Sequence, residues 1–86
     1  MQNVQESRTG IVAIIVSDRD QTYNKLNTIL HDYSSIIIGR MGIPHREKNL
    51  SIIALIIDGT TDQVGALTGR IGQLPNVMVK SILAKN

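Results

Sequence analysis

Few residues in this chain have chemistry to offer. The histidines are His31 and His45, and the sequence contains no cysteine. His45 precedes Glu47 by two positions, a pair that falls short of the four ligands of a structural zinc site. His31 has no set of His, Asp or Glu ligands on its own element, so an intersubunit metal site would have to pool copies of His31 or His45. The serines and threonines are scattered and pair with no evident base, which leaves no covalent catalyst. The stretch DGTTDQVGALTG lacks the lysine that a phosphate loop places after its last glycine. The expectation is a protein with no catalytic residues and no resident metal; no cofactor is specified.

Binding is a different matter. Asp58, Gly59, Thr60, Thr61 and Asp62 form a turn ahead of a helical pattern, where amides at a helix N-terminus suit an anion. With Gly39 and Gly42 they make the candidate ligand-binding set. Gly65, Gly69 and Gly72 follow at spacings of four and three, on the side of the helix away from its apolar stripe. Interior helix glycines cost about 1 kcal/mol each against alanine. They read as a second interface or a ligand-contact surface that needs close approach, or else as tolerated glycines on a wet face. Arg40, Arg46 and Lys48, with Glu47 among them, would serve an anion, a partner protein or simple solubility.

The elements that position these residues are legible in order. Met1 to Thr9 is polar and unpatterned and reads as a flexible tail, with one domain over residues 10–86. Gly10 to Ser17 is a continuous apolar run and reads as a strand buried on both faces. Ser17-Asp18 has N-cap chemistry, and Tyr23, Leu26, Leu30 and Tyr33 give a helical stripe over Arg19 to Tyr33. Ser35 to Ile43 is a second strand in which Gly39 and Gly42 suggest a bulge, a bend or a close backbone approach. Pro44 should end its pairing, and PHREKN should be an exposed hairpin loop. Leu50 to Asp58 is the third strand. Val64, Leu67, Ile71 and Leu74 mark a second helix that stops at Pro75-Asn76, and Val77 to Leu83 is the last strand.

The order β-α-β-β-α-β predicts an α+β, ferredoxin-like sandwich, with two helices on one face of a four-stranded antiparallel sheet. Right-handed crossovers put the first and third strands in the middle. Those central strands do not alternate: Ile11, Ala13 and Ile15 oppose Val12, Ile14 and Val16, and Ile52, Ala54 and Ile56 oppose Ile53, Leu55 and Ile57. A second apolar face on a monomer would expose an unusually large patch. A homo-oligomer is therefore expected, a dimer or a dimer of dimers. The longest apolar runs are far too short to span a membrane, and a soluble cytoplasmic protein is the reading. The net charge of +2 hints only weakly at an anionic partner, so nucleic acid is left open.

GRMGIP, then REKN, then IIDGTTDQVGALTGRIGQLPNVMVKS closely resembles the family of iron-only hydrogenase system regulators. The resemblance covers Ile11 to Leu83. It implies a fold similar to ACT regulatory domains and to the C-terminal sensing domain of the nickel-responsive repressor, both ligand-responsive oligomers. This chain has Ser17-Asp18-Arg19-Asp20 where amino-acid-binding ACT domains often carry Pro-Gly, and it lacks the cysteine of the nickel site. It also has only Met1 to Thr9 where the repressor carries a DNA-binding domain. The implied function is a non-enzymatic, oligomeric regulatory domain that senses a small ligand or docks on a protein partner. The alternative is a DNA-associated transcriptional regulator acting through a basic surface of the oligomer or through a partner protein.

Overall fold

The computed structural model describes residues 6–17 and 19–85. Strand β1 (Arg8–Ser17) leads to helix α1 (Arg19–Asp32), then come β2 (Ile37–His45), β3 (Leu50–Gly59), helix α2 (Thr61–Gly72) and β4 (Val77–Leu83). All strand pairings are antiparallel, and the spatial order is β2-β3-β1-β4. The central pair is the one that the crossover rule predicts.

One side of the sheet carries the core. Val12, Ile14 and Val16 of β1 and Ile53, Leu55 and Ile57 of β3 are buried beneath Leu26, Ile29 and Leu30 of α1 and Val64, Leu67 and Ile71 of α2. Each such side chain stabilises the fold by roughly 1.5–3 kcal/mol relative to leaving it exposed. The α1 stripe is rotated from the expected one. Leu26 and Leu30 lie at its centre with Ile29 and Thr22, while Tyr23 and Tyr33 are half-buried at the rim. Thr22 is a polar residue in full burial, and it is satisfied because its hydroxyl donates to the Pro75 carbonyl at 3.1 Å. That bond and Ser17 N–H to the Asn76 carbonyl, 2.8 Å, join the start of α1 to the α2–β4 turn. Asn76 itself has φ 63°, a left-handed conformation that asparagine tolerates better than most residues.

Several expected boundaries move. β1 starts at Arg8 rather than Gly10, because Arg8 and Thr9 pair with Gly59 and Asp58; residues 1–5 of the expected tail, and Asp18 of the expected N-cap, lie outside the described residues. Helix α1 ends at Asp32, one residue short of the expected Tyr33. Ser34–Ile36 form a 3₁₀ turn, so β2 begins at Ile37 rather than Ser35. Pro44 does not end the pairing: Pro44 and His45 sit opposite Ser51 and Leu50. β2 is an edge strand, where a residue without an N–H is tolerated. The hairpin is accordingly tighter, a 3₁₀ turn over Arg46–Lys48 closed by Asn49 with φ 54°.

Gly10, the third residue of β1, has to be a glycine. It is buried between Ile57 and Leu83 in the register, and a Cβ there would overlap the Ile82 carbonyl oxygen and the Leu83 side chain. Backbone cannot yield as a flexible side chain can. Gly10→Ala should lower stability by about 2–3 kcal/mol, in the range of overpacked cores. Urea unfolding followed by circular dichroism would register this as a lower midpoint at unchanged slope, and an unchanged midpoint would refute the close approach.

Candidate functional site

The side of the sheet away from the helices is open and apolar. Register places its residues in cross-strand rows: Gly39, Ile56, Ile11 and Ile82; then Met41, Ala54, Ala13 and Lys80; then Ile43, Ile52, Ile15 and Met78. Two rows of Ile and Met thus flank a row whose centre is Ala54 and Ala13, which makes a shallow trough between two ridges. The Ile and Met side chains of these rows, Ile15 apart, are 40–73% exposed. The uninterrupted apolar runs of the central strands come from this second face, since within one chain the burial alternates strictly along β3 from Ser51 to Leu55.

A bulge decides which β2 residues reach that face. Ile37 pairs with Ile57, yet Gly39 pairs with Ile56, so Ile38 is the additional residue. Without the bulge, a ladder running on regularly from the Ile37–Ile57 pair would put Arg40 opposite Ala54, in the middle of the apolar trough. With it Arg40 lies opposite Leu55 on the helix side, and Met41 and Ile43 take the open side. Arg40 there donates from its guanidinium to Asn27 Oδ1 of α1 at 3.2 Å. Gly39 has nothing within 4 Å of a notional Cβ and Gly42 meets only Ile53 Cγ1 at 3.8 Å, so of the three options the bulge is the one realised, next to Gly39.

The expected ligand-binding residues therefore do not all converge. Gly39 and Asp58 are on the open side at one end of the sheet, whereas Gly42 is on the helix side opposite Ile53. At the turn, Thr60 is the N-cap of α2. Its hydroxyl accepts from Gln63 N–H at 3.1 Å, and Gln63 Oε1 accepts from Thr60 N–H at 2.9 Å. This reciprocal box occupies donors that the sequence left for an anion. Gly59 is buried, with Ile36 at 3.2 Å from a notional Cβ, so its role is packing. Thr61 and Asp62 are exposed on the first turn of α2.

A Cβ at Gly65 or Gly69 would meet nothing within 4 Å, and one at Gly72 would lie 3.6 Å from Val79 Cγ1. Among the described residues nothing uses the space that Gly65 and Gly69 leave. The histidines are apart: His31 is in the last turn of α1 and His45 at the end of β2, both exposed. Among the described residues no group of three or more His, Asp or Glu side chains could hold a metal ion. Arg70 meets Asp32 at 3.2 Å and stands over the Tyr33 ring at 5.5 Å. Tyr33 first, and then Asp32, hold its guanidinium above the usual arginine range. Asp32 and Arg70 are both nearly half exposed, so the pair adds little to stability and serves to tie the ends of the two helices.

Sequence reasoning passed over a cleft of about 380 Å³ on the helix side, lined by Asn27, Leu30, His31, Ser34, Ile37 and Arg40. Its α1 members recur at helical spacing, three and then one apart, but its other wall is set by the 3₁₀ turn and the bulge. Neither had a sequence signature strong enough to bring Arg40 beside Asn27.

An antiparallel β2-β3-β1-β4 sheet with two helices on one face and an unshielded apolar face on the other is an ACT-like α+β domain. Residues 8–81 match the model of the TM1266-like family, described as "Iron-only hydrogenase system regulator, putative". The chain belongs to that family. It is 41% identical to the uncharacterized protein TM1266 from Thermotoga maritima, with a TM-score of 0.89 over 93% of this chain and 100% of that one. It is also similar to the ACT domain of GTP pyrophosphokinase from Chlorobium tepidum, at 14% identity and a TM-score of 0.73 over 88% of this chain and 99% of that one. A PII-like nitrogen regulatory protein from Thiomonas intermedia K12 matches at 15% identity and a TM-score of 0.53, over 92% of each chain. At such identities the last two show the fold alone. No functionally curated protein matches the chain.

The capping box carries its own test. Thr60→Ala removes the acceptor for Gln63 N–H and should cost about 1 kcal/mol. A thermal midpoint equal to that of the parent protein would mean that the box is not formed and that the turn keeps its amides for another partner.

Proposed function

We propose that the protein is a non-enzymatic regulatory domain of an iron-only hydrogenase system that works as a homo-oligomer and responds to a small ligand. One observation carries this reading: the open face presents seven Ile and Met side chains at 40% exposure or more, in flat rows that suit a second copy of themselves. Monomers rarely keep so large an apolar surface in water. Pairing two such faces, ridge against trough, would bury it in both copies. In this arrangement Gly39 and Asp58 sit at the end of the paired faces, where a ligand would contact both copies; Gly59, Thr60, Thr61 and Asp62 would support that end rather than touch the ligand, and Gly42, opposite Ile53 on the helix side, takes no part.

The family description and the ACT-like fold favour regulation over catalysis. The DNA-associated reading gains no support from the basic residues. Arg40 is engaged on the helix side, while Arg46 and Lys48 stand in the hairpin turn, roughly 20 Å further along the strand direction at about 3.3 Å per residue.

The assembly is tested by light scattering on the parent chain and on Ile11→Glu/Ile56→Glu, a pair that faces itself across β1 and β3. The parent should exceed its monomer mass of 9.4 kDa, and the double variant should fall to it while keeping its circular dichroism. A monomeric parent sinks the reading. A variant that stays assembled, with Gly69→Leu dissociating instead, moves the interface to the Gly65, Gly69 and Gly72 strip.

A further inference from the structure

We infer that the cleft between α1 and β2 is a binding site for a small organic anion, a carboxylate or phosphate monoester with an apolar or planar body. This rests on the regulatory reading and adds to it a second ligand site, within a single chain and distinct from the Gly39 and Asp58 end of the paired faces, together with the class of ligand it takes.

Charge is the first argument. The lining residues Asn27, Leu30, His31, Ser34, Ile37 and Arg40 include a guanidinium, an imidazole, a carboxamide and a hydroxyl, and no carboxylate. The nearest acidic residue in sequence, Asp32, is committed to Arg70. The Arg40 guanidinium makes one 3.2 Å bond to Asn27, which draws it to the cleft and leaves its other N–H donors to form the two-pronged contact that carboxylates and phosphates accept. Shape is the second argument. Leu30 is buried and Ile37 half-buried against the core, so the floor is apolar and rigid while the rim is polar. A volume near 380 Å³ lies at the lower end of the range for small-molecule sites.

Construction is the third argument. Arg40 reaches this side only because the Ile37/Gly39 bulge displaces the register, and such bulges recur where a side chain must be re-aimed near a site. The cleft also lies on the helix side, so pairing of the open sheet faces leaves it accessible. The absence of a carboxylate in the lining makes a specific demand: a zwitterion gains nothing for its ammonium group, so a 2-oxo acid binds better than the amino acid of the same skeleton.

The test is a nitrogen-15 NMR titration of the intact chain with phenylpyruvate, AMP and phenylalanine in turn, repeated on Arg40→Gln. Arg40 is exposed, and its removal leaves the core untouched. The expected result is saturable displacement of the Asn27, His31, Ser34 and Arg40 amide signals by phenylpyruvate or AMP, at least tenfold weaker in Arg40→Gln, with phenylalanine weaker than phenylpyruvate. Whichever of the first two binds tighter tells carboxylate from phosphate. No localised displacement by either anion overturns the site, as does equal binding by Arg40→Gln or binding of phenylalanine as tight as phenylpyruvate. Displacement confined to Gly39 and Asp58 to Asp62 overturns the cleft but leaves the regulatory reading standing.

Discussion

Two helices of 14 and 12 residues can shield one face of a four-stranded sheet and no more, and the rest of this molecule follows from that constraint. The core takes the inward residues of β1 and β3, and α1 and α2 complete it. The other face is apolar too, built from Ile, Met and Ala, but none of the described residues covers it. Hydrophobic burial is the main favourable term in folding, and in a domain of this size much of the apolar surface lies outside a single core. An assembly through the open face would make the second half of that surface contribute. Stability and oligomeric state would then be inseparable, as they are in many obligate homodimers.

β2 is where the two faces are sorted. It is an edge strand held only by β3, and its residues from Arg40 to Ile43 alternate between the helix side and the open side after a single additional residue at Ile38. A side-chain period of two means that one residue of slippage exchanges the faces. The bulge therefore determines that a guanidinium points toward α1 and that a methionine and an isoleucine join the apolar rows. Pro44 and the tight Arg46–Lys48 turn lie beyond it, and a proline on the edge strand blunts an exposed strand edge.

Much of this was legible in the sequence, because the strong patterns are those that packing enforces. The run Gly10 to Val16 and the run Ile52 to Ile57 gave the central strands, and the absence of alternation in them announced the second apolar face. Val64, Leu67 and Ile71 gave α2 without ambiguity. The bulge was only one of three readings of Gly39 and Gly42, since the glycines fitted a bend or a close approach as well. The extension of β2 through Pro44 and His45 was not legible either: a proline argues against pairing unless the strand is known to be at an edge with its free side outward. The cleft was hidden for the same reason. Asn27, Leu30 and His31 share a face of α1 by spacing alone, but Arg40 joins them only through a register shift that no local pattern required.

The same alternation gives the two surfaces a shared element. Arg40 faces the cleft and Met41 the open rows, Gly42 the helix side and Ile43 the rows again, so a ligand that fixes Arg40 fixes the backbone from which Met41 and Ile43 project. Ligand binding and assembly, if both occur as proposed, would then be coupled through one edge strand with no need for a path across the core. Coupling of this kind is reciprocal: if an anion at Arg40 strengthens the pairing of open faces, pairing must strengthen the hold on the anion by the same factor. An edge strand suits that task because it is restrained on one side only, and its freedom is what either event would remove.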